Sequence, residues 1–181
     1  MTDKPILRGP QVTLRDARDN DVAERFALGN TPEIMAMFGA DPAQVRDITH
    51  DAAQAWVNSQ RDEALAWVIE VDGALKGALR LHSVNHADKR ANIAIGILDP
   101  SALGQGYGSE AMQLLAAYAF DEMGLHRLTA RVLAFNDRAA RAYEKVGFVE
   151  EGRERESARI GDNWHDDLIM GLIDRDLRRL E

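Results

Sequence analysis

The chain has 181 residues, 22 Lys and Arg against 30 Asp and Glu, and a formal net charge of −8. One ordinary domain fits that length, and 45% apolar with 29% charged residues excludes wholesale disorder. The acidity disfavours nucleic acid and anionic membranes as partners, and the absence of Cys excludes disulfides, thiolate metal sites and a Cys nucleophile.

Gln11 to Arg15 reads as an opening strand, with Val12 and Leu14 on one face. Asp19-Asn20-Asp21 supplies N-cap chemistry for a helix carrying Val22, Phe26 and Leu28. Thr31-Pro32-Glu33 predicts a second helix start, with Thr as cap, Pro at the first helical position and Glu in the first turn. Residues 42–61 suggest more helix, placing Ala52, Ala55, Trp56 and Ser59 at helical spacing. From Leu65 the period is two: Leu65, Trp67, Ile69 and Val71 alternate with Ala66, Val68 and Glu70, and Asp72-Gly73 signals a hairpin. The next strand sets Leu75, Leu79 and Leu81 against Lys76, Arg80 and His82. A third, over 91–98, sets Ile93, Ile95 and Ile97 against Asn92, Ala94 and Gly96. Short turns make these three strands an antiparallel meander.

Gly104-Gln105-Gly106-Tyr107-Gly108 then runs into a helix through about Glu122, with Ala111, Leu115, Tyr118 and Ala119 on its buried stripe and Gly124 at its end. Arg127 to Leu133 predicts a strand, Asn136 caps a helix to Val146, and two last strands flank Gly161-Asp162-Asn163. The strand–helix–strand crossover over 91–133 favours one parallel pair. The class is α+β, a mixed, mostly antiparallel sheet flanked by helices, expected as one domain over 1–181. Met1 to Pro10 hold no apolar stretch of signal-peptide length, and nowhere are 18 apolar residues consecutive, so a cytoplasmic location is expected.

Two stretches carry chemistry. Glycines at a strand-to-helix turn aim backbone amides into one concavity and, with the helix dipole, favour an anion such as a phosphate. The spacing lacks the Gly-x-Gly-x-x-Gly of a dinucleotide fold and the Lys-Ser/Thr of a P-loop. In the second stretch, Asn136 and Tyr143 are seven residues apart, about two helical turns, and share a face kept open by Ala139 and Ala140. A plain N-cap and a core tyrosine explain the same two residues.

Together these stretches resemble the GCN5-related N-acetyltransferase (GNAT) superfamily. Leu103 to Ala111 is similar to its acetyl-CoA pyrophosphate loop, and Asn136 to Phe148 to its Asn-x-x-Ala-x-x-x-Tyr-x-x-x-Gly-Phe signature. Trp164 to Leu172 resembles the closing strand of the ribosomal-protein and spermidine N-acetyltransferase branches. The resemblance implies acetyl-CoA as cosubstrate, held by Ile95, Ile97, Leu103, Gly104, Gln105, Gly106, Tyr107, Gly108, Ser109, Asn136 and Tyr143. It implies direct attack by a neutral amine in a ternary complex, with an amide near Ile93 to Ile97 polarising the thioester oxygen. Tyr143 is expected as general acid, its phenol pKa of about 10 keeping a proton for the leaving thiolate, and Asn136 as a partner of the CoA chain or acetyl region.

Three positions depart from the family pattern. Asn92 stands where some relatives carry a Glu that can act as base, Ala139 where many ribosomal-protein acetyltransferases carry Ser, and Leu103 where a basic or polar residue is common. The proton acceptor is thereby unassigned. These departures also support an alternative, a non-catalytic acyl-CoA or metabolite sensor on the same fold. The acceptor is expected to be a primary amine, a protein N-terminus, polyamine or other small amine, drawn by the net negative charge, with Glu24, Glu33, Asp41 and Asp47 as candidate carboxylates. No nucleic acid, membrane or metal is expected; His82 and His86 lack a third ligand. A homodimer or larger homo-oligomer is expected, with the charged run Glu150 to Glu156 read chiefly as a solvated strand face. Glu110 is read as serving the helix N-terminal dipole, and Trp56, Trp67 and Trp164 as core or interface.

Overall fold

A computed structural model describes residues 4–180; residues 1–3 of the opening stretch and Glu181 lie outside it, as do those ends of the expected 1–181 domain. Eight strands form one sheet in the order β1-β2-β3-β4-β5-β6-β8-β7. They are β1 (Leu7–Arg8), β2 (Val12–Arg15), β3 (Ala66–Val71), β4 (Ala74–Asn85), β5 (Arg90–Ile97), β6 (Arg127–Leu133), β7 (Val149–Ile160) and β8 (Asn163–Ile173). The helices are α1 (Asp21–Leu28), α2 (Pro32–Met37), α3 (His50–Asp62), α4 (Tyr107–Asp121) and α5 (Asp137–Val146). All pairings are antiparallel except β5 with β6, the pair the crossover required.

The sheet buries both faces of β3. Trp67, Ile69 and Val71 join Leu79, Leu81, Ile93 and Leu128 beneath the Ala111, Met112, Leu115 and Ala119 stripe of α4. On the opposite face Val68 packs with Val22, Ala53 and Val57 from α1 and α3. Hence alternation in β3 separates two cores rather than a core and solvent. The helical region departs from expectation in three ways. Residues 45–49 are not helical: a 3₁₀ turn at Pro42–Gln44 is followed by extended chain, and Thr49 caps α3 by accepting the Ala52 N–H at 3.1 Å. Phe26 is 46% exposed, off the buried stripe, and its ring meets that of His50. Neither Asn20 nor Thr31 makes a side-chain cap bond.

Asp21 explains the first of those missing caps. Its carboxylate accepts the Arg18 N–H at 2.7 Å and both terminal nitrogens of Arg15 at 2.8 Å, while Arg15 Nε donates to Glu70 on β3. Arg15 and Asp21 are 2% and 1% exposed, so this pair ties β2, α1 and β3 together without solvent. Glu110 plays a similar part on the other face: it stands in the first turn of α4, as expected, and has a second role there. Its side chain is buried and its Oε1 accepts the Gln11 and Val12 N–H groups, each at 2.8 Å, pinning α4 to β2.

Burial pushes the Asp21 carboxyl up, but the bonds from Arg15 and Arg18 outweigh it and hold it below its ordinary value of 3.8. That stabilisation is present above the unfolded value of about 3.9 and is lost as pH falls through the lower folded value. Asp21→Asn is expected to cost about 3 kcal/mol or more at pH 7, because it leaves Arg15 buried with half its countercharge. Urea unfolding at pH 7 and pH 3 measures both effects, and the variant should lose this part of the pH dependence.

Candidate active site

β5 and β6 are paired only at Arg90–Arg127, Ala91–Leu128 and Asn92–Thr129. Beyond Asn92 the ladder ends while both strands continue, β5 held by β4 and β6 held by β8. The Leu98 N–H donates to the Lys76 carbonyl at 2.8 Å across β4. Alternation along that ladder turns the backbone groups of Ala94 and Gly96 to β4, and those of Ile95 and Ile97 to the open side. Two N–H and two C=O groups therefore line a gap with no strand opposite them.

The glycine loop stands over this gap. Gly104 and Gly106 have φ of 75° and 89°, and a Cβ on either would meet nothing within 4 Å. Only glycine adopts these angles cheaply, and the space beside them is free for a ligand. The first bond of α4 is from the Glu110 N–H to the Gly106 carbonyl at 3.0 Å, which leaves the Tyr107, Gly108 and Ser109 amides without a helical acceptor. A Cβ on Gly108 would lie 3.8 Å from both Ile95 and Ile97, so the loop and the free strand edge adjoin. Leu103 and Tyr107 are half-buried and Gln105 is exposed. The preceding turn, Pro100–Ala102, is fixed by Asp99, which bonds Ser101 and pairs with Lys76 at 2.7 Å. Burial pushes the Asp99 carboxyl up, but those bonds outweigh it and hold it low. This open cradle of amides, built on backbone and not side chains, fits the pyrophosphate and pantetheine of acetyl-CoA.

Asn136 and Tyr143 sit on α5, next to that cradle. Ser109 Oγ donates to the Ala142 carbonyl at 3.3 Å, joining α4 to α5. Asn136 Oδ1 accepts the Ala139 N–H at 3.1 Å, so its capping role is real and its amide donors remain available. Tyr143 is 4% exposed, with its ring edge-on to Phe148 at 5.0 Å, and burial pushes its phenol above the ordinary tyrosine range. Among the described residues the one fully buried side-chain polar atom without a partner is Arg25 Nε.

On the other face of β5, Phe38 lies against the strand: a Cβ on Gly96 would be 2.9 Å from its ring. A lone glycine in an isoleucine strand is the one sequence signal that pointed to such a contact. Phe38 is 45% exposed, and the opposite rim carries Trp164, 58% exposed, and the Phe135–His165 ring pair at 4.9 Å. A Cβ on Gly161 would be 3.4 Å from Asp41, so the β7–β8 turn reaches the loop after α2. Of the four expected acceptor carboxylates, Glu24 is used by the Leu75 N–H at 2.6 Å and Asp41 caps its own turn, while Glu33 and Asp47 are exposed. Trp67 is fully buried and Trp164 is not. Among the described residues no group of three His, Cys, Asp or Glu is placed to hold a metal, and no helix is long and apolar enough to cross a membrane.

A known family accounts for this arrangement: the acetyltransferase (GNAT) domain matches residues 11–149. The chain belongs to the GNAT acetyltransferase family. It is 30% identical over 115 residues to "Probable N-acetyltransferase YjcK" of Bacillus subtilis, covering 64% of this chain and 58% of that relative. It is 28% identical over 141 residues to spermidine N(1)-acetyltransferase of Escherichia coli strain K12, covering 78% of this chain and 74% of the relative. The spermidine N-acetyltransferase of Vibrio cholerae, solved in complex with CoA and spermine, superposes with a TM-score of 0.75 at 25% identity, covering 93% of this chain and 98% of that one. The α+β GNAT fold read from the sequence is thus the fold of this chain.

Gly106→Val is expected to lower acetyl-CoA affinity at least 10-fold, since it forces a side chain and an unsuitable φ into the cradle. Calorimetric titration measures it, with Gly73→Ala, at a remote hairpin turn, as the control for positive-φ strain alone.

Proposed function

We propose that this GNAT domain transfers an acetyl group from acetyl-CoA to a primary amine, a protein N-terminus, polyamine or other small amine, by direct attack in a ternary complex. The observation that carries the reading is the parting of β5 from β6 beside the glycine loop. It supplies free strand-edge groups and free helix-start amides within one continuous groove. The unbroken eight-stranded sheet supports treating the chain as one domain.

When bound, acetyl-CoA supplies an activated thioester whose acetyl carbon is passed to nitrogen while CoA leaves as the thiol. The chain's residues do the rest. Tyr107, Gly108 and Ser109 amides bind anionic oxygens, and the N–H groups of Ile95 and Ile97 offer donors to a carbonyl oxygen that gains charge as nitrogen attacks. Tyr143 donates its phenolic proton to the sulfur as the C–S bond breaks. Burial keeps that proton in place through the neutral range, which suits an acid and not a base. The free amide of Asn136 donates along the same groove. Holding both reactants in one site converts a bimolecular encounter into an internal step.

The amine is expected to be cationic when free. The net charge of −8 favours cations, the exposed carboxylates Glu33 and Asp47 lie between α1 and α3, and the spermidine acetyltransferases among the relatives agree with such an acceptor.

Release of CoA with a panel of spermidine, a basic peptide N-terminus and an acidic amine tests the function. Turnover of the cationic members that weakens with salt is expected; acetyl-CoA binding without turnover of any amine leaves the sensor alternative instead. Tyr143→Phe is expected to keep acetyl-CoA affinity within about twofold and lower turnover about 10²-fold or more. In the wild type, turnover should show no loss from Tyr143 ionisation up to about pH 10, because burial raises its pKa above the free phenol value.

A further inference from the structure

The reaction needs a proton acceptor for the amine, and Asn92 holds no base. Directly across β4 from Asn92 is His82, and directly across β6 is Thr129, so the three lie in one row on one sheet face. That row is the last before β5 and β6 part. It lies on the face where Phe38 covers Gly96, opposite the face of Gly108, Ile95 and Ile97. The strand next to His82 is distorted. The β4–β5 register shifts between His82 and Asn85, and Ser83, a residue with a side chain, has φ of 53°. Such backbone is strained for a residue with a side chain, and bulges of this kind turn side chains at functional sites. Here the bulge places Ser83 Oγ 3.1 Å from His82 Nδ1, which orients the ring and leaves Nε2 without a partner among the described residues.

We propose, resting on the acetyltransferase reading, that His82 receives the proton shed by the attacking amine through one water held by the Asn92 side chain. Nitrogen forms its bond to the acetyl carbon and loses a proton to the water, which passes one to Nε2. The exposed ring returns it to solvent. The groups facing this ring suit the task. Burial and the neighbouring Arg80 charge push its pKa below 6.5, against a smaller opposing effect of Glu63, so the imidazole is neutral and able to accept at pH 7. Glu63 is paired with Arg80; across the hairpin Asp88 is paired with Arg90; and on β6 Arg127 is paired with Glu151. Asn92 and Thr129 are uncharged.

His82→Gln should lower turnover of spermidine, or of whichever panel amine the wild type prefers, about 10²-fold at unchanged acetyl-CoA affinity. His82→Ala should be rescued by added imidazole in proportion to its free base. In ring ¹⁵N spectra His82 should be neutral at pH 7, and its Nε2 resonance should move when CoA and spermidine are added together. Wild-type turnover in His82→Gln overturns the proposal, as does a loss that imidazole does not restore, or an Nε2 resonance indifferent to both ligands. Wild-type inactivity towards every amine instead sinks the acetyltransferase reading, and the resonance still decides on His82.

Discussion

Backbone groups that lose their ladder partner must find another, and in this sheet the loss is concentrated along β5 beyond Asn92. β5 stays bonded to β4 and β6 to β8, and within the sheet only three parallel pairs join the two halves. Every feature of the site follows from that divergence. The free edge of Ile95 and Ile97 gives an extended ligand a strand to pair with, in the manner of β-augmentation. The start of α4 falls at the same level because the crossover must leave the end of β5 to reach β6. The site is therefore mostly main chain, and its side chains refine a geometry that the topology imposes.

That dependence gives the two buried carboxylate ties their purpose. Arg15, Asp21 and Glu70 fix α1 to β2 and β3, and Glu110 fixes the first turn of α4 to β2. The first tie anchors the helical segment that leads towards Phe38, and the second anchors the helix whose N-terminus forms the cradle. Displacing α4 by an ångström would misplace amides that have no adjustable side chain to compensate.

Much of this was legible in the sequence. The isoleucine alternation of β5, the Asp72-Gly73 hairpin, the glycine loop and the Asn136 cap each rest on local chemistry, and local chemistry survives folding. What was illegible depends on distant partners. Glu110 looked like a helix-dipole residue because the N–H groups it accepts belong to Gln11 and Val12, about a hundred positions away. Asp21 looked like cap chemistry because its bond to Arg15 crosses from a strand. Residues 45–49 leave the helix because Thr49 starts a new one. His82 raised only the question of a metal, since no local signal announces a serine with positive φ beside it.

The outer strands carry a further consequence. β7 is twelve residues long at one edge of the sheet, it is almost wholly exposed, and its pairing with β8 shifts twice, once beside Glu156 at φ of 52°. Glu and Arg alternate through its middle, and β1 at the other edge is only two residues long. Bulged, charged or very short edges resist pairing with a stray strand, so the sheet is protected from edge-to-edge aggregation although eight strands meet in it. The same edges disfavour extension of the sheet by a second copy of the chain.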